Sequence, residues 1–160
     1  MKFALALLAL AAPTFAYAQA APAAAASNVT LKSETFIART VTDEKGQKVN
    51  KLFPVSKVLP RDVLLFQLSY QNLGKAPAAK FVINNPIPDG VDFTGTREPW
   101  AQVSIDGGKT FGALATLKVK LPTGALRAAG PLDVTQIRWT FAQPIAPGAK
   151  GNVQFYAVVK

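Results

Sequence analysis

From Asn28 onward, apolar and polar residues alternate with a period of two rather than 3.6. Leu64, Phe66, Leu68 and Tyr70 alternate with Leu65, Gln67, Ser69 and Gln71, the pattern of a half-buried strand. Phe81 and Ile83 alternate with Lys80, Val82 and Asn84, and Ile137, Trp139 and Phe141 alternate with Gln136, Arg138 and Thr140. Leu117, Val119 and Leu121 alternate with Lys118 and Lys120. The segment Gly151 to Lys160 places Val153, Phe155, Ala157 and Val159 on one face. Val29 and Leu31 begin an earlier strand that Phe36 to Val41 continues, and Asp43 to Lys48 reads as a charged hairpin loop. No window of helical length carries an i, i+3, i+4, i+7 stripe; only Gly124 to Ala129, between Pro122 and Pro131, could form a single helical turn.

The punctuation between these segments agrees. Leu59 to Thr94 reads as a strand, an Asn72-Leu73-Gly74 turn, a second strand and a Pro86-Ile87-Pro88-Asp89-Gly90 corner. Both prolines remove a backbone donor, so a ladder ends there, and Asp89-Gly90 tolerates positive φ. Pro147-Gly148 fits the two central positions of a type II turn, and Asp106-Gly107-Gly108 fits a tight hairpin between Gln102–Ile105 and a strand after Lys109. Strand segments at this spacing predict an all-β, immunoglobulin-like antiparallel β-sandwich of about eight or nine strands. Residues 28–160 form a single domain in this reading.

Before that domain, Met1-Lys2 gives a short positive region, Phe3 to Ala12 is an apolar run too short to span a bilayer, and Ala16-Tyr17-Ala18 is a small-x-small cleavage site. Residues 1–18 are therefore expected to be a secretory signal peptide. Residues 19–27, rich in alanine, read as a disordered tether. No cysteine follows the apolar run, so no lipid anchor is expected, and no second apolar stretch is long enough to cross a membrane. The expected location is exported: the periplasm, or the cell surface and exterior. The chain has no cysteine at all, so stability must come from the packed core without a disulfide.

The formal net charge is +9, and cleavage after Ala18 would lower it by one. Lys45, Lys48, Lys51, Lys57 and Arg61 concentrate cations in one stretch. They could contact a polyanion such as lipopolysaccharide, phospholipid or an acidic polymer. The plainer reading is that they keep an exposed sheet edge soluble and unpaired. Nucleic acid is not expected as a partner, because export separates the two.

Catalytic chemistry has little to work with. Histidine is absent, so an imidazole base or a Ser-His-Asp triad cannot be built, and the only methionine is Met1. Soft-metal and zinc sites therefore lack their usual ligands. The nine carboxylates, Glu34, Asp43, Glu44, Asp62, Asp89, Asp92, Glu98, Asp106 and Asp133, leave carboxylate-only chemistry formally open, but most fall at turns. Asp89 and Asp92 flank Gly90 and could reach a calcium ion, although no dense run of oxygen ligands accompanies them. The expectation is no enzyme, no cofactor and no metal.

Ser104-Ile105-Asp106-Gly107-Gly108-Lys109-Thr110-Phe111 matches the Asp-box found in sialidase propellers and other β-proteins. One copy cannot make a propeller, and the aspartate of such a hairpin caps backbone N–H groups, so a structural clip is expected. Trp139 shares a face with Ile137 and Phe141 and is expected in the core. Trp100 follows Pro99 at a strand start and is expected to be partly exposed.

Pro60-x-Asp62 before a strand, Asn72-x-Gly74 after it, and Ile87-Pro88-Asp89-Gly90-Val91 at the corner together resemble the bacterial conserved-repeat family. This is the immunoglobulin-like domain of unknown function numbered eleven, found in secreted and surface proteins. Ile137-x-Trp139, Pro147-Gly148 and Val153-x-Phe155 look like that family's closing hairpin. The chain departs from it in carrying one copy instead of a tandem array, in an expanded basic region from Thr42 to Val58, and in Asn85 where relatives often place an acidic residue. The resemblance implies a structural or adhesive role outside the cell and transfers no catalytic residue.

Two roles follow as expectations. One is a non-enzymatic structural or interaction module of the bacterial envelope, self-associating through edge strands or binding another protein or an envelope polymer. The alternative is a binding protein for acidic glycan or lipopolysaccharide acting through Lys45, Lys48, Lys51, Lys57 and Arg61.

Overall fold

The computed structural model describes residues 28–160; the expected signal peptide and tether lie outside them. The fold is all-β, with ten strands in three antiparallel sheets, one more strand than the upper sequence estimate. The strands are β1 (Val29–Thr42), β2 (Lys48–Pro54), β3 (Val63–Asn72), β4 (Val82–Pro86), β5 (Val91–Thr96), β6 (Gln102–Ser104), β7 (Lys118–Lys120), β8 (Leu126–Ala128), β9 (Gln136–Thr140) and β10 (Lys150–Val159). A five-stranded sheet runs β2-β1-β3-β10-β5 and a three-stranded sheet runs β4-β9-β6. The pair β7-β8 stands apart.

The extra strand falls where a helical turn could have formed. Gly124 adopts φ +86°, and the chain reverses there, with the Leu121 N–H donating to the Ala125 carbonyl at 2.8 Å. A left-handed residue at that point turns Leu126–Ala128 back along Lys118–Lys120 as a strand. The strand expected after Lys109 is reduced to an isolated bridge between Val103 and Gly112.

The two larger sheets pack face to face. The inner faces contribute Leu68, Phe93, Val153, Phe155 and Ala157 from one sheet, and Ile83, Val103, Ile137 and Trp139 from the other, to one buried cluster. Trp139 and Phe155 are fully buried, and Phe155 stacks on Phe66 at 4.6 Å between ring centroids. Truncating a buried aromatic of this kind to alanine costs about 3–5 kcal/mol through lost contacts and a residual cavity. The period of two in β3, β9 and β10 thus sets the sandwich directly.

Leu65 is the exception. Alternation places it on the outer face of the large sheet, among Gln67 and Ser69, yet it is 2% exposed. Its cross-strand partners are Phe36 on β1 and Tyr156 on β10. Large side chains directly opposite on both neighbours cover a leucine well.

Asn72 closes the end of β3. It is 1% exposed, its Nδ2 donates to the Ala76 carbonyl at 3.0 Å and the Ile145 carbonyl at 2.8 Å, and its Oδ1 accepts from the Gly74 N–H at 2.9 Å. The Asn72-x-Gly74 pair is therefore an Asx-turn that also straps the segment before β10. A Cβ on Gly74 would meet Asn72 Oδ1 at 3.1 Å and Asn28 Cβ at 3.2 Å, which explains the glycine. The Pro147-Gly148 turn forms as expected, with Gly148 at φ +75° and the Ala149 N–H donating to the Ala146 carbonyl.

Candidate interaction surface

Most of the carboxylates hold turns and sheets together. Asp43 Oδ1 accepts from the Lys45 and Gln47 N–H groups at 2.9 and 2.8 Å and closes the β1–β2 hairpin. Asp62 Oδ2 accepts from the Leu59 N–H at 2.8 Å. Asp133 takes both prongs of the Arg127 guanidinium and the Gly130 N–H. Glu34 pairs with Lys32 at 2.9 Å, and Asp92, which lines one depression with Asp89, lies 3.5 Å from Lys160. Glu98 accepts from Trp139, Gln154 and Thr96. Among the described residues no group of three or more His, Cys, Asp or Glu is placed to hold a metal ion.

The Asp-box works as a clip. Asp106 Oδ1 accepts from the Lys109 and Thr110 N–H groups, both at 3.0 Å, and from the Ser104 hydroxyl at 2.7 Å; Oδ2 accepts from the Thr110 hydroxyl at 2.6 Å. These donors, the Thr110 hydroxyl foremost, hold the carboxyl well below the usual carboxylate range. The carboxylate is saturated by its own hairpin.

The surface that stands out is the β1–β2 arm. β1 pairs with β3 only as far as Ala38, whereas its pairing with β2 continues to Thr42. Arg39–Thr42 and Lys48–Lys51 therefore pair only with each other, and the hairpin extends past β3. Since β2 and β3 flank β1, residues 55–62 must cross from one side of β1 to the other.

The five predicted cations all lie on this arm and its connection, and all are exposed. Lys45 sits in the hairpin turn, Lys48 and Lys51 lie on β2, and Lys57 and Arg61 lie in the connection, Arg61 in the left-handed region at φ 72°. They do not share one face. Lys51 opposes Arg39 across the hairpin, whereas Lys48 opposes Thr42 on the other side of the ribbon. Arg39 was missing from the sequence set; the register fixed by the Asp43–Gln47 turn is the signal that finds it. Asp43 and Glu44 share a depression at the tip with Lys45 and Lys51 and moderate the charge there.

What the alternation did not foretell is the apolar content of the same segment. Leu52, Phe53, Val55, Val58, Leu59 and Val63 are between 38% and 54% exposed. On the outer face of the sheet, Leu52, Ala38, Val63 and Val158 form one cross-strand row, with Pro54, Phe36, Leu65 and Tyr156 beside it. Further along the same face the rows turn polar. Thr30, Lys32, Ser69, Gln71, Lys150 and Asn152 line a groove of about 490 Å³ there.

Trp100 is 45% exposed, as expected; Phe141 meets it edge-on at 5.3 Å and Tyr70 packs on Phe141 at 4.9 Å. The edge-on contact makes Trp100 the outer member of a structural cluster.

Searches with protein-family models, curated proteins and solved structures found no match to this chain. Among the described residues no helix is long and apolar enough to cross a membrane.

Proposed function

We propose that this chain is an exported, non-enzymatic structural or interaction module of the bacterial envelope or cell surface. The observation that carries the reading is the β1–β2 arm, which projects past the sandwich, ends the large sheet in an open edge strand and exposes apolar side chains beside cations. Open edges and exposed apolar surface are what proteins use to bind partners or to add strands from a neighbour. The carboxylates, by contrast, are mostly engaged in local contacts that hold turns and sheets together, which supports a scaffold role.

A second reading has its own support. Lys45, Lys48, Lys51, Lys57 and Arg61 are all solvent-exposed, as binding of acidic glycan or lipopolysaccharide requires. Envelope fractionation of cells making the chain, with ultracentrifugation and electron microscopy of the purified chain from Gln19, tests the module reading. Retention on envelope fractions or self-association supports it. A chain that is strictly monomeric at high concentration and free of every envelope fraction overturns it.

A further inference from the structure

We infer that β2 and the connection 55–62 form a membrane-docking surface that seats on an anionic phospholipid bilayer. The inference deepens the interaction-module reading and rests on it. Half of the exposed large apolar side chains among the described residues fall between Leu52 and Val63; the others are spread singly along the chain. Scattered apolar residues are ordinary surface, but a cluster marks a contact. Lysines alone would keep an edge soluble. They give no reason for Leu52, Phe53, Val55, Val58 and Leu59 to stand in water beside them.

The two residue types interleave. On β2, Lys51 and Phe53 share one face of the ribbon and Leu52 lies on the other, so the edge strand carries apolar side chains on both sides. Lys57 lies between Val55 and Val58, and Arg61 follows Leu59. The single carboxylate in the connection, Asp62, is occupied by the Leu59 N–H, while the Asp62 N–H donates back to the Leu59 carbonyl at 3.0 Å. That reciprocal closure makes a tight turn with Leu59 on it, 54% exposed. The surface also lies away from the start of the described chain, where the Leu73 N–H binds the Asn28 carbonyl beyond the other end of β3.

The occupant follows from needing both chemistries. An acidic glycan would satisfy the cations and leave the apolar side chains bare. A second copy seated on the same surface would bring like charge against like charge. An anionic bilayer takes apolar side chains at the headgroup boundary and cations on its phosphates, and interfacial binding draws on both terms.

Cosedimentation of the chain from Gln19, which retains every described residue, with phosphatidylcholine vesicles with and without phosphatidylglycerol tests this. Binding is expected to require phosphatidylglycerol. Lys51→Glu/Lys57→Glu should weaken it by at least about fivefold per cation at low salt, with the difference shrinking as salt rises. Val58→Ser/Leu59→Ser should weaken it at every salt concentration. Thermal unfolding of each variant confirms that these exposed substitutions leave the fold intact. A folded chain that ignores phosphatidylglycerol vesicles overturns the inference, and so does binding that Val58→Ser/Leu59→Ser leaves unchanged, which would assign the surface to an acidic polymer. Either result, with the chain still held on envelope fractions, leaves the module reading in place.

Discussion

Trp139 Nε1–H donates to Glu98 Oε2 at 3.1 Å, and the Gln154 N–H donates to the same oxygen at 3.1 Å. Trp139 belongs to β9 in the small sheet and Gln154 to β10 in the large one. Glu98 sits on the chain as it crosses from β5 to β6, that is, from one sheet to the other. One carboxylate oxygen thus joins both layers, and the Thr96 hydroxyl adds a third contact at 2.9 Å.

Removing that acceptor should be costly because Trp139 is fully buried and its N–H has Glu98 as its hydrogen-bond partner. Glu98→Ala is expected to destabilise the fold by about 1–3 kcal/mol, the cost of an unsatisfied buried donor. Trp139→Phe removes the donor as well, so its further effect in the Glu98→Ala background should be smaller than in the parent. A double-mutant cycle from urea unfolding measures the coupling. Additive losses would show that the bond contributes nothing of its own.

Gly151 is expected to resist even alanine. It lies opposite Tyr70, and a Cβ there would meet the Tyr70 hydroxyl oxygen at 2.5 Å and Cζ at 2.7 Å. Tyr70 cannot swing away without leaving Phe141, against which its ring packs edge-on. Gly151→Ala should cost about 1–3 kcal/mol as overpacking. In a Tyr70→Ala background the same change should be close to neutral, which thermal unfolding of both pairs would read.

The strands were legible in the sequence, and the contacts that lock them were less so. Alternation at Leu64–Tyr70, Ile137–Phe141 and Val153–Val159 gives the inner faces, because a period of two is the geometry of the pleat. It cannot say that Leu65 is buried on the other face, since that depends on Phe36 and Tyr156 arriving from strands far away in the chain. Glu98 was only one carboxylate among nine, because a loop residue bridging two sheets leaves no periodic trace. The Asp-box and Asn72-x-Gly74 were readable as motifs since their bonds close within a few residues. The five cations were found as a run of charge. Their division between two faces, and the partnership of Lys51 with Arg39, needed the hairpin register.

Asn72 offers a test of how tightly its end of the sandwich is held. Both amide hydrogens and the carbonyl oxygen are used in a site almost closed to solvent. Asn72→Ala should cost about 1–3 kcal/mol, since it strands buried backbone groups. Asn72→Asp has nearly the same shape but faces the Ala76 and Ile145 carbonyls with an oxygen in place of the amide. It should be at least as destabilising at neutral pH and should recover in part on acidification, as the carboxyl gains a proton to donate. Unfolding of both variants at two pH values separates loss of shape from loss of donors.

The Arg127–Asp133 pair makes stability depend on pH in acid. The Arg127 fork foremost, then the Gly130 N–H, lowers the Asp133 carboxyl from 3.8 to about 2. A carboxyl depressed in the folded state binds its proton less readily than in the unfolded chain. Its stabilising contribution is therefore fully present above the unfolded value of 3.8 and is lost as pH falls toward the folded value of about 2. Asp133→Asn keeps the size and one acceptor but cannot titrate. Its stability should lie below the parent's at neutral pH, and its curve should be flatter between those two values. The pair lies near solvent, so added salt should narrow the neutral-pH gap. Asp106 stays in both chains and titrates lower still, so the difference between the two acid-unfolding curves isolates Asp133. Parallel curves for parent and variant across that window would show that the arginine fork does not hold this carboxyl in the folded protein.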